Sequence, residues 1–183
     1  DYGYELDGVI VMGTGHQPTP MVLAGKALAD ITRLIKGDRY RSRLISKIMF
    51  GAYNKRIKNV RTSNDWLTRD EAVVDEYNAG KLTTFLFTVN GYRGLMNMIL
   101  YVRKPRNIAK IPKNLPMLMV SGLDDPVGEY GKGVYRAYNT YHGHIDDIDL
   151  RLFEDCRHEL CNELNKEEIY EEIYDWIMDH MNK

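Results

Sequence analysis

Two short apolar runs, far apart in the chain, most restrict the folds that this sequence can adopt. Residues 8–13 and residues 117–120 are each uninterrupted by polar side chains, and each run ends at a glycine-containing turn. Strands that are covered on both faces have this pattern, and such strands are typical of parallel sheets. The sequence therefore predicts two buried parallel strands.

A third strand is predicted at residues 148–153, where polar and apolar residues alternate as they do on a half-exposed strand near a sheet edge. Apolar residues at helical spacing predict one helix before this strand, at residues 132–141, and another after it, at residues 166–181. Strand and helix thus alternate along this part of the chain. This order implies right-handed parallel crossovers and an α/β fold.

The segment between the first two strands lacks strand-like alternation and is predicted to be helical. It is far too long for a simple crossover between neighbouring strands. We therefore predict a helical cap, or lid, at residues 18–112, between a core strand and turn at residues 1–17 and a core segment at residues 113–183. The helices are predicted near residues 21–35, near residues 42–52, from a capping box at Thr68-Arg69-Asp70-Glu71 onward, and at residues 92–102.

The charge of the chain gives no reason to expect nucleic-acid binding. Its 183 residues suit one domain, and 25 lysines and arginines face 26 acidic residues, for a net charge of -1. Basic residues do cluster between Lys36 and Arg61, among apolar side chains. The favoured interpretation is the solvated face of amphipathic helices, and peripheral contact with an anionic lipid surface is the alternative. No apolar run reaches the length of a transmembrane helix.

Two cysteines, Cys156 and Cys161, are expected to be reduced thiols of a cytoplasmic protein. Together with His158 they form a Cys-x-His-x-x-Cys group that could ligate zinc, but a fourth ligand would have to come from a distant residue such as His142 or His144. Free thiols are the favoured interpretation. No metal and no cofactor is expected.

Carboxylates and a histidine follow two neighbouring predicted strands at the same end of the sheet. Asp124 and Asp125 come just after the strand at residues 117–120, and His158 follows the next strand. An aspartate before a proline is often only a turn residue, and a histidine in a loop is often only a surface residue. However, an aspartate followed by a histidine matches the acid and base of a triad in the chain order nucleophile, acid, base. Asp125 would then orient the imidazole, and His158 would transfer the proton.

Six segments in this order and spacing resemble bacterial α/β-hydrolases of the lysophospholipase, monoacylglycerol lipase and serine aminopeptidase kind. The resemblance implies that Asp125 is the catalytic acid, that Asp124 is less suited to this role, and that His158 is the catalytic base. It also implies that the substrate is a carboxylic ester, in particular a monoacylglycerol or a lysophospholipid. The matching segments are residues 7–15, 40–42, 50–54, 65–70, 121–128 and 157–159.

The chain departs from this family in lacking the nucleophile. The family's serine lies in a Gly-x-Ser-x-Gly elbow ahead of the strand that begins here near Gly8, and the oxyanion donors also lie upstream. The resemblance therefore implies that the N-terminal half of the hydrolase is missing, and we expect this polypeptide alone to be inactive. The alternative is a non-catalytic binding or assembly module, which would pair with such an N-terminal half or with itself along the strand edge at Val9–Met12. The serines present are Ser42, Ser46, Ser63 and Ser121, and none lies in the elbow pattern.

Several side chains are candidates for the wall of an acyl pocket. His16 follows the first strand and is expected to have a structural role in the turn, with substrate contact as the alternative. The methionine and aromatic residues of the predicted cap are expected to be mostly cap core, but some should line an apolar pocket, because lids present adaptable hydrophobic surface. The candidates for the pocket wall are His16, Met49, Phe50, Tyr53 and Tyr92.

Overall fold

Within residues 2–181, which the computed structural model describes, three parallel strands form a sheet in the order β1, β2, β3. Their bounds are Val9–Met12, Met117–Gly122 and Ile148–Phe153. Val9 pairs with Met117, and Met117 pairs with Ile148, so the carboxyl ends of all three strands meet at one edge of the sheet. The predicted α/β fold with parallel strands is confirmed, and β3 lies at a sheet edge as its alternating sequence predicted. The prediction that β1 is buried is wrong: it is only partly buried, because within the described residues it pairs with β2 on one side alone.

Seven α-helices accompany the sheet in the described part of the chain. Five of them lie between β1 and β2, so the helical character predicted for this segment is confirmed. No helix within residues 2–181 is both long and apolar enough to cross a bilayer. The helices are α1 (Thr19–Lys36), α2 (Arg43–Phe50), α3 (Glu71–Ala79), α4 (Val89–Val102), α5 (Pro105–Ile108), α6 (Lys132–His142) and α7 (Lys166–Met181).

β2 is buried along its whole length and separates two apolar layers. Because side chains alternate along a strand, Leu118 and Val120 point to one face, where they pack with Trp176 of α7. Met117 and Met119 point to the other face, against Ala137 of α6. The helices between β1 and β2 have a core of their own, formed by Ala29, Ile45, Val89 and Tyr92.

The predicted capping box at Thr68 is wrong, because the N-cap of α3 is Asp70. The Asp70 carboxylate accepts hydrogen bonds from the backbone N–H groups of Ala72 and Val73, which otherwise lack partners at the helix start. The Thr68 hydroxyl instead donates to the carbonyl of Asn162 at 2.8 Å. The Thr68 hydroxyl thus bonds a distant loop instead of the helix start. The helix begins two residues later than it would if Thr68 were its N-cap.

Asp70→Ala is expected to destabilise the protein by about 1 kcal/mol, because it leaves helix N–H groups without an acceptor. Urea unfolding followed by circular dichroism measures this change. The matched control is Glu76→Ala on the same helix, where the side chain is exposed and the free energy of unfolding should change by less than about 0.5 kcal/mol. Equal changes in the two variants would contradict the assignment of Asp70 as the cap.

Candidate active site

The loop that follows β2 holds a carboxylate in a fully buried position. Asp125 has no exposed surface, whereas the neighbouring Asp124 is exposed. Oδ1 of Asp125 accepts a hydrogen bond from the backbone N–H of Val127 at 2.8 Å, and the Ser121 hydroxyl donates to Oδ2 at 3.5 Å. The turn therefore fixes one carboxylate oxygen and directs the other towards the loop after β3.

The loop after β3 brings His158 to this carboxylate. Nδ1 of His158 lies 3.0 Å from Oδ2 of Asp125, so in the neutral imidazole Nδ1 carries the hydrogen and Nε2 carries the lone pair. Asp125 is completely buried, while about a quarter (26%) of the His158 side chain is exposed. The geometry therefore provides an oriented imidazole with one side open to a reacting group, as an acid and base pair requires.

Two glycines allow the strand ends to approach this closely. A Cβ atom on Gly122 would lie 2.0 Å from the carbonyl oxygen of Cys156, so any larger residue would push apart the loops that carry Asp125 and His158. Gly13 has a φ of 61°, in the left-handed region, and a Cβ there would lie 3.1 Å from Cε1 of His158. The turn after β1 thus lies directly against the imidazole.

A buried glutamate anchors the loop of His158. The side chain of Glu163 has no exposed surface, and its Oε1 accepts a hydrogen bond of 2.7 Å from the backbone N–H of Arg157. Its Oε2 pairs with Nε of Arg69 at 2.9 Å. Burial by itself would lower the pKa of Arg69, but the pair with Glu163 outweighs burial and raises it. Glu163 therefore fixes the backbone beside His158 to the segment that leads into α3.

The same segment is joined to the His158 loop through its backbone carbonyls, which accept hydrogen bonds from that loop. Nη1 of Arg157 donates to the carbonyls of Asp65 at 2.6 Å and Thr68 at 2.9 Å. The backbone N–H of Glu159 donates to the carbonyl of Leu67 at 2.7 Å. These bonds hold the residues on both sides of His158, so the imidazole has little freedom to move away from Asp125.

Three aromatic rings continue outward from His158. The ring centroid of Trp66 lies 5.2 Å from that of His158, Tyr53 lies 4.9 Å from Trp66, and Phe50 lies 5.6 Å from Tyr53. Burial, with a contribution from the charge of Asp125, raises the pKa of Tyr53 to about 12, so its hydroxyl stays neutral. The pocket candidates Phe50 and Tyr53 therefore belong to an aromatic row that ends at the imidazole.

The other pocket candidates are placed differently. Tyr92 is only 1% exposed and lies in the core of the helices, where Met49 packs against the same cluster. His16 lies against α6: its backbone N–H donates to the carbonyl of Gly133, its carbonyl accepts from Arg136, and its Nδ1 lies 3.3 Å from the Thr140 hydroxyl. Burial and the nearby charge of Arg103 lower the pKa of His16. These are the contacts of a structural turn residue.

The thiols do not gather around His158. Cys156 is buried, with Sγ 3.3 Å from Oδ1 of Asn165, and Sγ of Cys161 lies 3.7 Å from Sδ of Met12. Burial raises the pKa of both cysteines, which favours the neutral thiols. Among the residues that the structure describes, no cysteine belongs to a group that could hold a metal ion. The geometry therefore does not favour the Cys-x-His-x-x-Cys zinc alternative.

Sequence reasoning missed three residues around the imidazole, namely Trp66, Arg157 and Glu163. Trp66 and Arg157 lie in segments 65–70 and 157–159, which carry the family resemblance, so a signal for them exists in the sequence. The sequence nevertheless assigns Trp66 to the cap core along with the other aromatic residues of that region. Nothing in the sequence distinguishes Glu163. It is one of several acidic residues near the start of α7, and such residues are usually exposed to solvent.

The chain matches a family model in sequence and several known proteins in structure. A sequence model of the family described as serine aminopeptidase, S33, matches residues 1–165. No curated protein sequence matches the chain. A thermostable carboxyl esterase from Bacillus coagulans superposes with a TM-score of 0.83 at 22% identity, over 99% of this chain and 58% of the esterase.

Two monoacylglycerol lipases are also similar in structure. That of Saccharomyces cerevisiae has a TM-score of 0.68 at 17% identity, over 98% of this chain and 55% of the lipase. That of Paleococcus ferrophilus has a TM-score of 0.63 at 17% identity, over 96% of this chain and 60% of the lipase. At these identities the likeness shows a shared fold, and the chain spans less than two thirds of the length of each of these proteins.

Proposed function

Because this chain belongs to the serine aminopeptidase S33 family of α/β-hydrolases, we propose that it supplies the catalytic acid and base of a serine hydrolase acting on carboxylic esters. The observation that carries the proposal is the contact of 3.0 Å between Asp125 and His158 at the carboxyl ends of two parallel strands. Open α/β sheets assemble their active sites at this edge. In this function Asp125 is the acid, and His158 is the base.

The proposed reaction uses both nitrogens of His158. Nε2 takes the proton from a serine hydroxyl as its oxygen attacks the ester carbonyl, and Asp125 stabilises the imidazolium through Nδ1. The imidazolium then returns the proton to the leaving alcohol, so that the ester bond breaks and an acyl-serine forms. Water, activated by the same histidine, releases the acid and regenerates the serine.

The nucleophilic serine of this reaction is proposed to come from outside these 183 residues. None of the four serines lies in a Gly-x-Ser-x-Gly elbow. Ser121 is nearest to the pair, but it is completely buried within β2 and its hydroxyl donates to Asp125, so it cannot approach a substrate carbonyl. Since the oxyanion donors are also expected elsewhere, the polypeptide alone should hydrolyse nothing at a useful rate.

The substrate class is proposed to be a monoacylglycerol or a lysophospholipid. The aromatic row formed by Phe50, Tyr53 and Trp66 supplies apolar surface beside the base, which suits an acyl chain. The helices at residues 18–112 would act as the cap over this site. On α2, the exposed Leu44 and Ile48 lie near the basic Arg43 and Lys47, an arrangement that would suit peripheral contact with an anionic lipid surface.

Labelling with a fluorophosphonate probe of reactive serines tests this proposal. The chain alone should remain unlabelled, and a second polypeptide that carries the family's Gly-x-Ser-x-Gly segment should become labelled only when this chain is added. The dependence should disappear with His158→Ala and persist with His142→Ala, a histidine at the end of α6. Turnover of short-chain esters by the chain alone, abolished in His158→Ala, would contradict the proposal.

A second candidate function is a non-catalytic assembly module, which the edge of β1 favours. Val9 and Gly13 direct their N–H groups to β2, so the alternate residues Ile10 and Met12 direct theirs away from it. Such an edge can accept another strand, from a hydrolase segment or from a second copy of the chain. In the labelling experiment this candidate predicts complex formation without serine labelling. A monodisperse monomer with no affinity for the second polypeptide would exclude it.

A further inference from the structure

Two aspartates and a histidine meet at the end of the sheet opposite to Asp125 and His158. Asp147 directly precedes β3, Asp149 is the second residue of β3, and His180 lies in the last turn of α7. Because side chains two residues apart point to the same face of a strand, both carboxylates face α7. One ligand atom from each of the three side chains lies within 4.8 Å of the other two.

The imidazole of His180 is oriented by Trp176, one helical turn earlier. Nδ1 of His180 lies 2.7 Å from the Trp176 carbonyl, and since a carbonyl can only accept, Nδ1 carries a hydrogen and Nε2 is the ring nitrogen available to a metal ion. The two rings stack with centroids 4.1 Å apart. The indole Nε1 donates to Oδ2 of Asp149 at 3.1 Å. Histidines that ligate metals are typically fixed in this way, by donating their second nitrogen to a carbonyl.

Nε2 of His180 has no hydrogen-bond partner among the described residues. The His180 side chain is nine-tenths buried (10% exposed), and its Nε2 is a buried polar atom without a donor or acceptor in hydrogen-bonding geometry. It lies 3.4 Å from Oδ2 of Asp147, a contact that is an ion pair only when the imidazole is protonated. A cation between the two atoms would bind the Nε2 lone pair of a neutral imidazole and the carboxylate oxygen together.

The separation between Nε2 of His180 and Oδ2 of Asp147 fits a metal ion bound by both. In a tetrahedral zinc site with bonds of about 2.0–2.1 Å, two ligand atoms are roughly 3.4 Å apart, close to the separation between His180 and Asp147. Imidazole with carboxylates is a donor set that zinc accepts. Asp147 and Asp149 are 41% and 38% exposed, which leaves a path for the ion and for a water ligand. Nη1 of Arg151 lies 3.6 Å from Oδ1 of Asp149. Nε of the same arginine pairs with Glu172.

We propose that Asp147, Asp149 and His180 bind one Zn²⁺ ion, with water at the fourth position. The ion would fasten the C-terminal turn of α7 to the start of β3. It would lie far from the carboxyl ends of the strands, where Asp125 and His158 meet, and would have a structural role independent of ester hydrolysis.

Equilibrium dialysis of the metal-free chain against Zn²⁺ at neutral pH tests the proposal, together with thermal unfolding at each zinc concentration. One Zn²⁺ per chain and a melting temperature that rises with zinc are expected. Both effects should be lost in His180→Ala and in Asp149→Asn, and both should persist in the matched control His142→Ala. Asp149→Asn keeps the side-chain shape and an acceptor for Trp176, so it separates loss of the ion from loss of the fold.

Three outcomes would overturn the assignment. The first is the absence of stoichiometric zinc on the unmodified chain. The second is zinc binding that His180→Ala and Asp149→Asn leave unchanged. The third is zinc binding that is abolished by alkylation of Cys156 and Cys161 but retained by both variants, which would assign the ion to the thiols.

Discussion

Asp125→Asn should lower kcat for ester hydrolysis by about 10⁴-fold in a protein that combines these residues with the serine nucleophile. The amide would keep the size and the burial of the side chain but could not stabilise the imidazolium. Its NH₂ group would also favour the tautomer of His158 that carries the hydrogen on Nε2. Nδ1 now lies 3.0 Å from the carboxylate, and that tautomer would leave no lone pair on Nε2 to take the serine proton.

Steady-state kinetics with a short-chain ester, beside unfolding curves of each variant, measures this effect. The matched control is Asp124→Asn, the same substitution at the adjacent exposed position, for which kcat should change less than threefold. Comparable losses in the two variants, or a loss in Asp125→Asn that follows a loss of folded protein, would remove Asp125 from the role of acid.

Glu163→Ala should lower the free energy of unfolding by about 3 kcal/mol, the lower end of what is observed when one partner of a buried charge pair is removed. The carboxylate is completely buried and accepts from Nε and the backbone N–H of Arg69 and from the backbone N–H of Arg157, so its loss leaves three donors unpaired. Arg69 is about a quarter exposed (27%), and water can partly replace its partner, which keeps the expected cost at this lower end.

Chemical unfolding of the isolated chain measures the cost without the need for an active enzyme. Glu171→Ala, at an exposed position of α7, is the matched control and should change the free energy of unfolding by less than about 0.5 kcal/mol. Glu163→Gln should lie between the two, because it retains an acceptor but not the charge. A Glu163→Ala variant as stable as the control would show that Glu163 does not anchor the His158 loop.

The sheet and the acid and base pair could be predicted because both depend on local patterns. Uninterrupted apolar runs identified β1 and β2, and the rule that parallel strands end at one edge then placed Asp125 beside His158. The helix cap was missed because Thr68 and Asp70 can both cap a helix, and only the pattern starting at Thr68 has an acidic residue three positions later. A contact between Thr68 and Asn162, far away in the chain, decided between them.

The surroundings of the pair could not be predicted, since they depend on how helices pack. The apolar residues of an amphipathic helix look alike in sequence, so Tyr92 in the helical core and Tyr53 beside the site could not be told apart. The same holds for Asp147 and His180, which meet only because of the rotation of α7 about its own axis. That rotation is set by the packing of Trp176 on the sheet.

The ties between the His158 loop and the segment before α3 have a consequence for the order of folding. The hydrogen bond from Thr68 to Asn162 and the pair of Arg69 with Glu163 each close a loop of 94 residues. Contacts across so long a loop form only after the loop-closure entropy has been overcome, whereas the turn that holds Asp125 is local. We therefore expect the turn that holds Asp125 to form early, and the ties between the His158 loop and the segment before α3 to form in the slower, non-local stage of folding.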